Sequence, residues 1–181
     1  KNRLAILLLI TIISSSDGIA IVTKSKGAVE YKKNDGTIVK NDLRKGTSLF
    51  DNERITTGAN GFAKYVYLDD GSMIKVHKNA EVYIYGSIDK RSIIKQVNVS
   101  SGNVKFEVSK QGQDDFTVIT PTSVATVKGT DFWLESSKDE GDQFFGLSGL
   151  VNLTELALSW CNSLVDISGL SGLVNLTSLN L

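Results

Sequence analysis

Few residues in this chain are suited to chemistry. His77 is its one imidazole and Cys161 its one thiol, so neither a two-histidine metal site nor a Cys-His nucleophile has local support. Asp69-Asp70-Gly71-Ser72 starts like a Ca²⁺ loop but lacks further oxygen ligands at the required offsets, and turn chemistry accounts for it better. Asp114-Asp115 and Asp139-Glu140 are carboxylate pairs in sequence only, as loop neighbours facing solvent. The glycines cradle no phosphate, because none follows a strand and opens a helix. His77, between Lys75 and Lys78, reads as a surface residue rather than a base. Tyr65, Tyr67, Tyr83 and Tyr85 alternate on adjacent segments. They offer either cross-strand packing, the commoner outcome, or an aromatic surface for sugar or a partner. No catalytic, metal or cofactor-binding set follows from these residues, and the expectation is a protein that is not an enzyme.

The elements that would position these side chains are strands. Asn60-Gly61 and Asp70-Gly71 tolerate the φ > 0 conformations of tight turns. Between them Phe62, Lys64, Val66 and Leu68 alternate with Ala63, Tyr65 and Tyr67. Met73, Lys75 and His77 then alternate with Ile74 and Val76, and a further strand holds Val82 to Tyr85. Asn34-Asp35-Gly36 predicts another hairpin, between Ala28–Lys33 and Thr37–Lys40, while Lys110–Asp115 and Ser136–Asp142 read as exposed connections. Outside the N-terminus no helical period emerges. The fold class is all-β.

These segments carry a resemblance to a family. Ile55-Thr56-Thr57-Gly58, the Asp70-Gly71-Ser72 turn and Glu81–Ile84 resemble the core of the FecR domain, a periplasmic module first known from iron-dicitrate signalling. Gly27-Ala28-Val29 resembles its opening strand and Ser101–Phe106 its Gly-x-Val-x-Phe strand. Thr120-Pro121 with Gly129-Thr130-Asp131-Phe132 resembles its closing signature. The likeness spans about residues 19–136, and its order and spacing are more specific than any one piece. It implies a twisted, solenoid-like stack of short strands. It also implies that Gly27, Val29, Thr57, Gly58, Asp70, Gly71, Ser72, Pro121, Gly129, Thr130 and Phe132 are structural signature residues. Sensing at the cell envelope is likewise implied by the resemblance alone.

The ends differ from the middle. Residues 1–16 read as a signal peptide: Lys1 and Arg3, then Leu4 to Ile13, apolar except for Thr11, then Ser14–Ser16. That run is short for a spanning helix, which needs about 20 apolar residues. Cleavage after Ser16 would leave a β-domain over 17–142, exported to the periplasm, cell surface or medium. Membrane contact would come only through an uncleaved signal. From Gly146 to Leu181 there is no Lys or Arg and there are 11 Leu. Gly146–Thr154 recurs unchanged as Gly169–Thr177, a period of 23. That period and the Leu-x-x-Leu-x-Leu-x-x-Cys pattern from Leu153 to Cys161, with Leu150 before it, mark the start of a leucine-rich repeat array. One and a half repeats cannot bury such a face, so a longer array is expected. The segment from Gln143 to Leu153 serves equally as a last strand of the β-domain.

Composition bounds the partners. Lys+Arg and Asp+Glu are both 20, which gives no net pull toward nucleic acid or acidic lipid. Lys24, Lys26, Lys32 and Lys33 flank strands, where lysine blocks edge-to-edge association. The single Cys161 makes no intramolecular disulfide and takes a repeat's interior position. The expected partner is a protein or a cell-envelope polymer, with no small-molecule cofactor. The expected function is an exported binding or sensing module. The alternative is the periplasmic sensory part of a transmembrane regulator of a sigma factor.

Overall fold

The computed structural model describes residues 17–90, 92–112, 115–137, 139, 141–145, 155–157 and 178–180. Every regular element among them is a strand. In chain order these are β1 (Ala20–Lys26), β2 (Val29–Lys32), β3 (Ile38–Lys40), β4 (Ser48–Leu49), β5 (Glu53–Thr57) and β6 (Phe62–Tyr67). There follow β7 (Met73–Val76), β8 (Glu81–Asp89), β9 (Ser92–Glu107), β10 (Phe116–Ile119), β11 (Val124–Val127), β12 (Asp131–Ser137) and β13 (Gly141–Phe145). Two short strands, β14 (Glu155–Ala157) and β15 (Ser178–Asn180), pair with each other in a second, two-stranded sheet.

The first thirteen strands form one sheet that curls into a half-barrel, and β9 makes the curl possible. Its first part pairs with β8 (antiparallel) and β10 (parallel), while its last part pairs with β7 and β12 (both antiparallel). One wing therefore runs β3-β2-β5-β8-β9-β10-β11 and the other β4-β1-β6-β7-β9-β12-β13. Between them the inward parity of β9 flips. Ile93, Lys95, Val97 and Val99 point inward before the bend, Val104 and Phe106 after it. Gly102 sits at the switch with φ 90°, and a Cβ there would lie 2.5 Å from Ala80 Cα. Only glycine fits that crossing.

Short hairpin turns dictate mostly antiparallel neighbours, so the strands curl around one core rather than stacking as a solenoid. The wings close over a core that includes Leu49, Ile55, Tyr65, Tyr67, Ile74, Ile84, Phe106, Phe116 and Phe132, each at most 2 % exposed. Phe106 and Phe132 stack with centroids 4.7 Å apart, and Phe116 meets Phe106 edge-on at 6.1 Å. The alternation read from β6 holds, with Ala63, Tyr65 and Tyr67 inside and Phe62, Lys64 and Val66 outside.

The expected loop at Ser136–Asp142 turns out differently: Ser136 pairs with Asp142 and Ser137 with Gly141 in the β12–β13 pair, so the sheet continues past Asp142. Asp142 is drawn inward because Thr120, Thr122 and Ser123 all donate hydroxyl hydrogen bonds to its Oδ2. Burial works to raise its carboxyl, but these bonds outweigh burial and hold it below the ordinary value. The expected hairpin around Asp35 is present as β2 and β3, locked by Thr37 N donating to Asp35 Oδ1 at 2.7 Å. The signal peptide (1–16) and most of the leucine-rich segment lie outside the described residues. Within that segment β14 and β15 pair in parallel, Glu155 beside Ser178 and Leu156 beside Leu179. That offset equals the 23-residue sequence period.

Candidate ligand-binding face

Two concave regions hold the polar residues of this sheet, and they are built on opposite principles. The first surrounds the Asp70-Gly71-Ser72 turn. Asp70 Oδ1 accepts from Ser72 N (2.8 Å), and its Oδ2 accepts from the Ser72 hydroxyl (2.9 Å) and from Gln111 Nε2 (2.6 Å). Lys95, inward on β9 and 3 % exposed, reaches Asp69 Oδ2 (2.6 Å), Asp70 Oδ2 (3.1 Å) and the Ile93 carbonyl (3.0 Å). Burial tends to raise the Asp70 carboxyl, yet the bonds from Ser72, Gln111 and Lys95 hold it below the ordinary value. Each charge here has a counter-charge. This cluster ties the β6–β7 turn to the β9 wing.

Other signature residues are also locks. Thr57 Oγ1 donates to the carbonyls of His77 and Ala80 and accepts from Ala80 N, so it pins β5 to the β7–β8 turn. Gly58 N donates to Ala28 O at 2.8 Å, and Ala28 N donates to Asn60 Oδ1 at 3.0 Å. Gly27, with φ 70°, would place a Cβ 2.1 Å from Asn60 O. Thr130 O accepts from Val108 N (2.9 Å), Gly129 packs on Lys110, and Pro121 occupies the turn after β10. Val29 is buried in the core and Gly71 turns between β6 and β7.

The second region is the outer face of the β4–β13 wing. Strand register sets Lys24 beside Lys64, Lys64 beside Lys75, Lys75 beside Lys105 and Lys105 beside Trp133. Like charges directly opposite one another destabilise a sheet. Glu107 compensates two of them, pairing with Lys105 Nζ at 2.8 Å and with Lys75 Nζ, and those bonds hold its carboxyl below the usual range. Among the described residues Lys24, Lys26 and Lys64 make no ion pair. Lys24 and Lys26 do lie where β1 runs past β4, which fits the edge-blocking expectation.

Beside the lysine row lies a groove of about 520 Å³, lined among others by Lys26, Asn60, Phe62, His77, Asn103, Trp133 and Glu135. His77 is not the surface residue expected from sequence. Its ring is half-buried between Phe62 (5.3 Å, edge-on) and Trp133 (4.8 Å). Burial, then the charges of Lys75, Lys105 and Lys26, push its pKa below the ordinary 6.5, so it is neutral at pH 7. His77 Nε2 and Asn103 Oδ1 are enclosed and have no hydrogen-bond partner among the described residues. Lys26 sits 5.7 Å from the Phe62 centroid and Lys105 5.9 Å from that of Trp133.

The tyrosine surface is corrected. Tyr65 and Tyr67 point into the core, at 0 % and 1 % exposure, because β6 turns its odd positions inward. Tyr83 and Tyr85 are half-buried on the other wing, so the four make no common surface. Sequence reading missed the groove because its walls come from β1, β6, β7, β9 and β12. The available signal was lysine at alternate outward positions on several strands.

Among the described residues no group of three or more His, Cys, Asp or Glu could hold a metal, and no helix is long and apolar enough to cross a membrane. The domain is a curled all-β sheet with structural signature turns and an open basic-aromatic face. The chain belongs to the FecR protein family, whose match covers residues 53–144, just over half of its length. Proteins of this family are regulatory sensors rather than enzymes, and their FecR domains are typically periplasmic. No curated protein and no solved structure matches the chain.

Proposed function

We propose that this is a non-enzymatic, exported FecR-domain protein whose β-domain recognises a protein or cell-envelope component. The observation that carries the binding role is the lysine row, of which Lys24 and Lys64 have no ion pair among the described residues, beside a half-buried aromatic groove. A sheet keeps such like-charge neighbours at a cost to stability, which a bound partner offsets. Support for export comes from the basic and apolar start of the sequence, Lys1 to Ser16, together with the family's usual compartment. The segment from 146 onward is read as the start of a leucine-rich repeat array that extends the recognition surface. The in-register pairing of β14 and β15, one sequence period apart, supports that reading.

The test has two parts. Expressed with a C-terminal tag, the chain is expected outside the cytoplasm, and deletion of residues 1–16 is expected to retain it inside. In sedimentation, purified protein should bind isolated envelope material, and Trp133→Ala should reduce that binding. Cytoplasmic retention of the intact chain, or envelope binding indifferent to the Trp133 change, would contradict the proposal.

The family's place in envelope regulation favours one second reading, a sensory part that controls a sigma factor. It predicts altered transcription of a sigma-factor regulon on deletion of the gene. A purely recognising module leaves that transcription unchanged.

A further inference from the structure

We propose that the outer face of β1, β6, β7, β9 and β12 binds an acidic polysaccharide, with sugar stacked at Trp133 and acidic groups along the lysine row. The inference rests on the binding role proposed above and names its ligand class.

Three observations converge on it. First, Lys24, Lys64, Lys75 and Lys105 stand side by side across four strands. Adjacent strands lie about 4.8 Å apart, so the row presents a positive charge at a spacing on the scale of one sugar residue. A linear polymer of acidic sugars meets the unpaired charges of Lys24 and Lys64 at successive steps, next to Lys75 and Lys105, which share Glu107. Second, the row ends at Trp133, whose ring with His77 and Phe62 makes an apolar floor in a groove. At about 520 Å³ that groove falls within the usual ~300–1,000 Å³ range of ligand sites. Aromatic rings combine apolar area with low side-chain entropy, which suits the C–H face of a pyranose. Third, Asn103 Oδ1 and His77 Nε2 have no hydrogen-bond partner among the described residues. The amide oxygen needs a donor. A sugar hydroxyl supplies one once the side chain turns into the groove, whereas a phosphodiester has only acceptors.

Other anionic partners fit less well. Of the large apolar residues exposed among the described residues, Ile38, Ile88 and Ile94 lie on the other wing and Leu68 stands singly at the end of β6, so this face carries no apolar patch that would enter a bilayer. A formal net charge of zero gives none of the overall positive potential that draws proteins to nucleic acid.

The experiment is a tryptophan-fluorescence and calorimetric titration of the full chain with three acidic glycans: polygalacturonate, hyaluronan and alginate. The comparison ligands are methyl-esterified polygalacturonate, phosphatidylglycerol vesicles and oligo(dT). At least one acidic glycan should bind, more weakly as NaCl rises from 50 to 500 mM, roughly as counterion release requires. The esterified polymer should bind at least tenfold more weakly than its parent. Trp133→Ala and Lys64→Glu should each weaken binding about tenfold, while Lys32→Glu on the other wing should leave it unchanged. Lys64 is an outward residue, so its variant stays folded and keeps the test open if Trp133→Ala unfolds. Failure of all three glycans, or tighter binding to vesicles or oligo(dT), would overturn the inference. If isolated envelope material still binds through Trp133 while no acidic glycan does, the ligand class falls and the proposed binding role stands. If envelope material also fails to bind, both fall.

Discussion

Lys95 and Lys64 are the same residue type on the same sheet, and the difference between them separates structure from function here. Lys95 is buried, and two carboxylates, a carbonyl and an amide oxygen surround its ammonium. Lys64 faces outward between Lys24 and Lys75, with no ion pair among the described residues. A buried charge persists only with partners, and the Lys95 ammonium is held between Asp69 and Asp70, so the cluster around Asp70 is a structural lock. An exposed row of like charges persists because water screens it, and it keeps its capacity to attract an anion. The other wing makes the same point. There Arg54 is paired with both Glu30 and Glu81 on the outer face.

The contrast can be broken in order of effect. Lys95→Ala should be the most damaging change, costing about 3–5 kcal/mol, because it strands Asp69 and Asp70 in a site built for their partner. Urea unfolding monitored by circular dichroism measures it. Gly102→Ala comes next, at about 2 kcal/mol or more, from a positive φ and a backbone approach that no side chain tolerates.

Acid should loosen the buried carboxylate networks. Asp70 and Asp142 both have carboxyls held below their ordinary 3.8 in the folded chain. The unfolded chain therefore takes up protons first. Their contribution is complete above that value and is lost as pH falls through the lower folded ones. Urea midpoints at pH 7, 4 and 3 should decline mainly across the last step, and Asp142→Asn should flatten the decline.

A pair of core tyrosines sharpens the rule about compensation. Tyr67 donates to the Tyr85 carbonyl at 3.0 Å, while the Tyr65 hydroxyl is buried with no partner among the described residues. Tyr67→Phe should cost about 1 kcal/mol, whereas Tyr65→Phe should be neutral or stabilising, as thermal melts would show. The smallest effect belongs to Lys64→Gln. It should change stability by no more than about 0.5 kcal/mol, in the stabilising direction if the lysine row repels itself as its register implies.

How much of this was legible in the sequence follows from the range of each interaction. The Asn-Gly and Asp-Gly turns and the alternation from Phe62 to Tyr67 are local, and the strands they imply are present. The burial of Lys95 depends on a turn some 25 residues earlier, and nothing near it in the chain signals that role. The groove is less legible still. His77 meets Trp133 only because both β7 and β12 pair with the last part of β9. The curl was hidden for a related reason. Gly102 reads as one glycine in a strand, and only the parity flip across it shows that β9 serves two wings. Tyr65 and Tyr67 were ambiguous because alternation sets which residues share a face but not which face is inside.

The central claim is that ligand binding belongs to the uncompensated face and not to the compensated lock. Amide and indole chemical-shift mapping of the ¹⁵N-labelled full chain, titrated with polygalacturonate, hyaluronan and alginate in turn, tests it most directly. The account predicts shifts concentrated at Lys64, Lys75, His77, Asn103, Lys105 and the Trp133 indole, with Lys95 and Gln111 unmoved. Shifts centred on Asp69, Lys95 and Gln111, or on the Arg54–Tyr83 face of the other wing, would contradict it.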